Sequence, residues 1–215
     1  MPKALGVVSI VDAVIVDLRR RVLAGELGAG AALTEAEVAD TYDIARTTAK
    51  AAIESLVSER LLVRKAHKTA RVVTLSAEDV RDIYRSRLLI ESPVLRQLAV
   101  TGDVPAAARA AQDELVALAD AAPRELVEPD MRFHRALVDV FASERISRAY
   151  AALASEVMLC MSHVQGAELL PNDLIIREHG EILDHLAAGN GEAAAAALSR
   201  HLERAAERLA ALVEN

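Results

Sequence analysis

Apolar residues recur every three or four positions along most of the chain, the spacing that places them on one face of an amphipathic helix. The first such stretch spans residues 8–24 and ends at Gly25. Its apolar face consists of Ile10, Val14, Leu18 and Val22. The pattern therefore predicts an amphipathic helix near the start of the chain.

The next stretch combines two further helices with strand-forming sequence. Thr34 and Glu37 have the spacing of a capping box at the helix EAEVADTY, and a second helix follows in ARTTAKAAIESLVSER. The segment LLVRKAHKTARVVTL then favours two short strands around a basic turn at 65–69. Helix, short helix, turn, helix and hairpin are the elements of a winged helix-turn-helix, which we assign to residues 1–75.

Downstream of residue 75 the strand pattern disappears and every stretch favours helix. Ser76 and Asp79 have the spacing of another capping box. Pro123 is expected to end an Ala-rich helix and Pro129 to begin the next. The predicted helices end near residues 100, 122, 142, 167, 188 and 213. The fold class is therefore mainly α, with the winged helix-turn-helix followed by an all-α bundle of about six helices over 76–215.

Composition narrows the possible environments of the chain. Its 215 residues are 53% hydrophobic, which is enough to bury a core, and the 2% of aromatic residues argue against a base-stacking surface for RNA. The longest uncharged run has 11 residues, between Glu156 and Glu168, and is too short to span a bilayer. The single cysteine, Cys160, excludes an internal disulfide framework and fits a reducing compartment. We expect a cytoplasmic protein with no membrane contact.

Charge is distributed unevenly along the chain. Residues 1–76 contain 11 Lys and Arg against 9 Asp and Glu, a balance of +2, whereas residues 77–215 contain 14 against 23, a balance of −9. These values sum to the formal net charge of −7. A mildly basic N-terminal region followed by an acidic region is consistent with a DNA-binding module joined to a domain of another kind.

Several motifs resemble one family of bacterial regulators. Leu33-Thr34-Glu35, Val38-Ala39 and ARTTAKAAIESLVSERLL resemble the DNA-binding domain of the GntR family. DMRFHRAL, EHGEIL and RHLERA, in that order, resemble the C-terminal ligand-binding (FCD) domain of its FadR subfamily. The resemblance covers residues 10–210. The chain departs from the family pattern at Ala45, Thr48, Lys50, His67 and Thr69, which bears on the operator sequence more than on DNA binding.

The helix that begins near residue 46 has the composition of a recognition helix. Its first residues enter the major groove in this class of domain, where an arginine pairs with guanine and a threonine contacts phosphate or a thymine methyl group. Basic residues of the wing follow the backbone or enter the minor groove. The predicted DNA-binding residues are Thr34, Glu35, Arg46, Thr47, Thr48, Lys50, Lys65, Lys68 and Arg71. The alternative is a solvated basic face with no ligand.

Four residues of the helical region have spacings that bring them together. Asp130 and His134 are four apart and share a helix face. His179 and His201 each lie 11 residues from Asn190, so in an antiparallel hairpin both are about 16 Å from the turn. An Asp-His-His-His cluster suits Zn, Ni, Mn or Fe, and the resemblance implies a divalent metal at these four positions. The alternative is that each histidine has only a structural role.

Three further residues are candidates for binding a small organic acid effector. Arg87 and Glu91 are four apart, which by itself indicates a surface salt bridge. The resemblance instead implies that Arg87 points into the pocket of the helical domain. His163 lies on a helix of the same bundle and is a candidate for lining that pocket.

These features lead to a hypothesis and two alternatives. The leading hypothesis is a homodimeric transcription regulator that binds a palindromic operator on double-stranded DNA. In this hypothesis its helical domain holds a metal and a carboxylate effector. The second is a metal-dependent helical enzyme with Glu178 as base. Adjacent helical residues point about 100° apart, however, so Glu178 is not expected to reach the site with His179. The third is a DNA-binding regulator with a purely structural metal.

Overall fold

The structure is a computed structural model that describes residues 9–66, 68–163 and 170–214, apart from the side chain of His163. The candidate pocket residue His163 and the wing residue His67 therefore lie outside the described side chains. The chain divides into two compact units, with the boundary between Thr74 and Leu75.

Within residues 9–66 and 68–74, the first unit contains three helices and a small sheet. Its elements are α1 (Ile10–Leu23), β1 (Ala32–Leu33), α2 (Glu35–Tyr42), α3 (Arg46–Ser58), β2 (Leu62–Val63) and β3 (Ala70–Val72). The central strand β3 is antiparallel to both β1 and β2. The winged helix-turn-helix expected from the sequence is present, and the third strand, β1, was not predicted. A strand of two residues is too short to show alternation of polar and apolar positions, so it is hidden within an apparent loop.

Local signals position the helices of this unit. The Thr34 hydroxyl accepts the amide N–H of Glu37, and the Glu37 carboxylate accepts the Thr34 amide N–H, which completes the capping box of α2. Asp43 then adopts a left-handed conformation that ends this helix before α3 begins. Helix α3 buries one apolar face in the packing of α1, α2 and α3: Ala49, Ala52, Ile53 and Leu56. The opposite face of α3 is therefore left in solvent.

In its described part, the second unit consists of six α-helices and one short 3₁₀ turn. The helices are α4 (Ala77–Thr101), α5 (Ala106–Ala117), α6 (Pro123–Val138), α7 (Glu144–His163), α8 (Asn172–Ala187) and α9 (Gly191–Val213). The predicted helical bundle is confirmed. Among the described residues, no helix combines the length and apolar character needed to cross a membrane.

The start of α6 corrects the prediction from the proline positions. Pro123 is the first residue of α6 and does not end α5, which finishes at Ala117. Pro129, expected to begin this helix, lies inside it. Proline is favoured at the first helical position because a backbone N–H there would have no partner within the helix. Pro123 and Pro129 both fit such a position, so the sequence alone does not distinguish them. The interior position costs one backbone hydrogen bond, which the buried packing of Pro129 offsets.

Helix α4 is the centre of the helical unit and packs most extensively against α9. Small residues make this close packing possible. A β-carbon at Gly191 would lie 2.9 Å from the Cα atom of Arg96, closer than non-bonded carbon atoms approach. The Ala-rich sequence of α9 therefore serves close helix packing, and α8 and α9 form the antiparallel hairpin expected from the turn at 189–191.

Candidate metal centre and nucleic-acid interface

The structure brings the four predicted metal ligands to one place. Helix α6 supplies Asp130 and His134, α8 supplies His179, and α9 supplies His201. One nitrogen or oxygen atom of each residue lies within 4.8 Å of the corresponding atoms of the other three. The Nε2 atom of His179 is 3.3 Å from Oδ1 of Asp130 and 3.4 Å from Nε2 of His201. Residues 71 positions apart in sequence thus form one cluster of nitrogen and oxygen atoms.

Burial gives the three imidazoles the protonation state that a metal ligand needs. His134 and His179 have no exposed surface, and His201 is 3% exposed. Burial lowers the pKa of His134 and His201, and burial together with the neighbouring His201 and His134 holds the pKa of His179 well below its usual value. All three rings are therefore neutral at pH 7, with a nitrogen lone pair available to an ion.

Inside the cluster, one buried ring nitrogen lacks a hydrogen-bond partner among the described residues. Nε2 of His134 is buried and has no hydrogen-bond partner in the described part of the chain. Its nearest carboxylate atom, Oδ1 of Asp130, is 4.0 Å away. Buried polar atoms in proteins are almost always paired with protein, water or an ion. The donor set and this unpaired nitrogen fit a divalent cation bound among the four residues.

Each of two ligand rings is held from outside by a glutamate. Nδ1 of His134 is 2.7 Å from Oε2 of Glu91, and Nδ1 of His201 is 2.9 Å from Oε2 of Glu178. Glu178 is not expected to reach the site together with His179, its neighbour on α8, and it reaches the site by contacting His201 on α9. The 100° step between adjacent residues separates their side chains around one helix but does not prevent contact with a neighbouring helix.

The third ring is held by stacking. The rings of His179 and Phe133 are nearly parallel, at an interplanar angle of 9°, with their centroids 3.9 Å apart. Nδ1 of His179 is buried and has no hydrogen-bond partner among the described residues. Sequence reasoning did not identify Phe133, although it directly precedes His134 in the motif DMRFHRAL.

Arg87 and Glu91 form a buried pair, so the surface salt bridge suggested by their spacing is wrong. Arg87 is 1% exposed and Glu91 is fully buried. The Arg87 Nε–H and the Tyr150 hydroxyl both donate to Oε1 of Glu91, at 3.0 and 2.8 Å. Nη2 of Arg87 is buried with no hydrogen-bond partner in the described chain. The guanidinium is therefore anchored through Nε, and its buried Nη2 has N–H groups available to an acceptor.

The Glu91 carboxylate stays ionised despite its burial. Burial by itself raises the pKa of Glu91, but the Arg87 guanidinium and the hydrogen bonds from His134 and Tyr150 outweigh it and hold that pKa below its usual value. No sequence pattern pointed to Tyr150, because its contact with Glu91 spans 59 positions and depends on the packing of α7 against α4.

In the first unit, the predicted DNA-contacting residues of α3 lie at its start. Arg46, Thr47 and Lys50 are exposed, and Thr48 is half-buried. The wing residues Lys65, Lys68 and Arg71 are also exposed. Helix and wing thus present positive charge to solvent, which is the requirement for contact with a phosphate backbone.

Three of the predicted DNA-contacting residues also make contacts within the unit. Thr34 caps α2, as described above, and Glu35 is paired with Arg64 at 3.3 Å. The Arg71 Nη1–H donates to the carbonyl oxygen of Gly30 at 2.9 Å. These contacts position the side chains of Thr34, Glu35 and Arg71 within the unit.

Comparison with known families assigns both units. Residues 10–72 match bacterial regulatory proteins of the gntR family, and residues 82–204 match the FCD domain. The chain is 25% identical over 204 residues to an uncharacterized HTH-type transcriptional regulator, BphR, of Paraburkholderia xenovorans, covering 91% of this chain and 83% of that protein. It is 27% identical over 180 residues to a probable D-xylose utilization operon transcriptional repressor of Paenarthrobacter nicotinovorans, covering 83% and 79%.

A solved structure agrees with this assignment over nearly the whole chain. A GntR transcriptional regulator from Rhodococcus sp. RHA1 superposes with a TM-score of 0.79 at 25% identity. The match covers 93% of this chain and 96% of that one.

Proposed function

The chain is a transcription regulator of the GntR family with an FCD domain, and we propose that a divalent metal and a small carboxylate effector in its helical unit control how it binds its operator. This proposal rests on the convergence of Asp130, His134, His179 and His201. Their donor atoms lie close together, and one of them, Nε2 of His134, is buried without a partner among the described residues. The relatives that match the chain are transcriptional regulators, which does not favour a metal-dependent enzyme.

The effector is proposed to be an acid because both the ion and the Arg87 guanidinium favour anionic oxygen atoms. With four protein ligands, a six-coordinate ion keeps two positions at which carboxylate oxygens can bind. Arg87 is fixed on Glu91 through Nε, and its buried Nη2 is free to pair with an anionic group. We therefore propose an effector with a carboxylate for the ion and a further acceptor for Arg87.

The proposed DNA contacts follow from the exposed face of the first unit. In this proposal Arg46 reads a base edge, and Lys50, one turn further along α3, contacts phosphate. One recognition helix reads few bases, so we propose that the protein binds a palindromic operator as a homodimer.

The metal site is tested by loading the purified protein with Zn²⁺, Ni²⁺ or Mn²⁺ and measuring bound metal per chain after gel filtration. We expect about one ion per chain in the wild type and strong loss in His179→Ala and His201→Ala. His185→Ala is the matched control, because His185 lies on α8 outside the cluster and contacts Glu181 at 3.7 Å. Wild-type protein without metal, or alanine variants with normal metal content, would refute the proposal.

A purely structural metal is the second candidate function, and the same protein distinguishes it. If the ion only stabilises the helical unit, its removal lowers the melting temperature, and no carboxylate changes the affinity for the operator. The buried, unpaired Nη2 of Arg87 supports the effector-binding hypothesis, because a purely structural metal does not need an unsatisfied guanidinium nitrogen in the same helical unit.

A further inference from the structure

We propose that Glu91 and Glu178 are positioning residues that fix the tautomers of His134 and His201, so that each ring directs the lone pair of Nε2 into the cluster. This inference rests on the proposed metal-binding function and concerns residues outside the four ligands. It assigns a role to two carboxylates on two different helices, α4 and α8.

The chemistry of a carboxylate determines the tautomer. An ionised carboxylate has no hydrogen to donate, so the ring nitrogen that contacts it must carry the proton. Nδ1 of His134 lies 2.7 Å from Oε2 of Glu91, at normal hydrogen-bond distance. In a neutral ring with a proton on Nδ1, the other nitrogen, Nε2, has the lone pair. Nε2 of His134 is the buried atom without a partner.

The two glutamates occupy different surroundings. Glu91 is fully buried, and its second oxygen accepts from Arg87 and Tyr150. Glu178 is 8% exposed, and its Oε1 is paired with Arg204, whose side chain is 44% exposed. A change at Glu178 therefore leaves its cationic partner within reach of water. This difference makes Glu178 the better position for a test, because a change at Glu91 leaves a buried charge unpaired.

The His179 ring differs from the other two, because no carboxylate of the described residues contacts its Nδ1. Its Nδ1 has no hydrogen-bond partner in the described chain, and Phe133 supports the ring face by stacking. The proposal therefore applies to two of the three rings. It predicts that tautomer control comes from α4 and α8, which are not the helices that carry His134 and His201.

The test is Glu178→Gln, measured by competition for Zn²⁺ with a chromogenic chelator. Glutamine keeps the shape of the side chain but can present an N–H group to Nδ1 of His201, which favours the proton on Nε2. We expect Zn²⁺ affinity to fall 10- to 100-fold, the usual effect of removing such an outer partner. Glu181→Gln is the matched control on α8, since Glu181 pairs with Arg200 and not with a ligand. We expect the control to stay within about twofold of wild type.

A second readout does not depend on metal. Long-range ¹H–¹⁵N NMR of histidine-labelled, metal-free protein reports which ring nitrogen carries the proton. We expect Nδ1–H at both His134 and His201 in the wild type, and a shift towards Nε2–H at His201 in Glu178→Gln. An Nε2–H tautomer at His134 or His201 in the wild type would overturn the assignment for that ring.

The outcomes separate this inference from the function on which it rests. Wild-type protein that takes up no Zn²⁺ would overturn the metal site itself and the positioning role with it. Normal Zn²⁺ uptake by the wild type, together with unchanged affinity and tautomer in Glu178→Gln, would overturn only the positioning role.

Discussion

At the scale of the residue, the Arg87–Glu91 pair shows how one buried carboxylate serves several partners. Glu91 accepts hydrogen bonds from Arg87, Tyr150 and His134, and all four residues are buried. A buried ion pair contributes little net stability compared with apolar residues, but an unpaired buried charge is costly. The pair is therefore expected to affect stability mainly when one of its partners is removed.

We predict that Glu91→Leu lowers the free energy of unfolding of the helical unit by about 3–5 kcal/mol, because it leaves the Arg87 guanidinium buried without a counter-charge. The double variant Glu91→Leu/Arg87→Met should recover part of this loss. Both values are measured by urea unfolding monitored by circular dichroism. If the loss in the double variant equals the sum of the losses in Glu91→Leu and Arg87→Met, the two side chains are not energetically coupled and this prediction is wrong.

The DNA-binding residues give a second prediction at this scale. Arg46→Ala should weaken operator binding by about 1–3 kcal/mol and relax specificity at one position of each half-site. Lys50→Ala should weaken binding to all sequences and reduce the salt dependence, because it removes a phosphate contact. Fluorescence anisotropy over a range of salt concentrations measures both effects.

A matched control for these variants lies in the helical unit. Arg148→Ala removes an exposed arginine of α7 that pairs with Glu144, so this variant should bind the operator like the wild type. If Arg46→Ala and Lys50→Ala also bind like the wild type, the proposed contacts of α3 are wrong.

At the scale of the element, the contact between α4 and α9 depends on a glycine. A β-carbon at Gly191 would lie 2.9 Å from the Cα atom of Arg96 and 3.1 Å from Cβ of Ala99. Backbone atoms do not move aside as the end of a flexible side chain does. The start of α9 must therefore shift away from α4 if any other residue replaces this glycine.

We predict that Gly191→Ala destabilises the helical unit by about 1–3 kcal/mol, the typical cost of overpacking. Gly28→Ala is the control, since a β-carbon there has nothing within 4 Å and the backbone needs no left-handed conformation. Thermal unfolding compares the two variants. Equal melting temperatures for Gly191→Ala and the wild type would show that the two helices adjust without cost.

The elements also show where sequence reasoning succeeded and where it did not. Helical period, capping boxes and the turn at 189–191 were local signals, and they were sufficient to predict the helices and to place His179 level with His201. The strand β1 is too short to show a period, and Pro123 and Pro129 carry the same local signal at the start of a helix. The contacts of Glu178, Phe133 and Tyr150 depend on which helices become neighbours, which no local pattern contains.

At the scale of the whole molecule, the chain joins a basic unit to an acidic one. The unit before Leu75 has a formal charge of +2 and the unit from Leu75 onward has −9. This division matches the two families found along the chain and restricts DNA attraction to the first unit. The proposed regulation requires that ligand binding in the second unit changes the affinity of the first for DNA.

Such control has a thermodynamic limit. An effector changes operator affinity only by the difference in its own affinity for the DNA-bound and free states, and typical coupling energies are about 1–3 kcal/mol. The operator must change effector affinity by the same factor. The proposed site adds a condition, because the carboxylate would bind partly through the metal.

The affinity of the regulator for its operator, measured by fluorescence anisotropy with a panel of small organic acids, tests the central claim most directly. The measurement uses metal-loaded protein and the same protein treated with a chelator. We predict that at least one carboxylate changes the operator Kd by about 5- to 150-fold in the loaded protein and has no effect after the metal is removed. An acid that acts equally on both forms, or a panel with no effect on metal-loaded protein, would contradict the account.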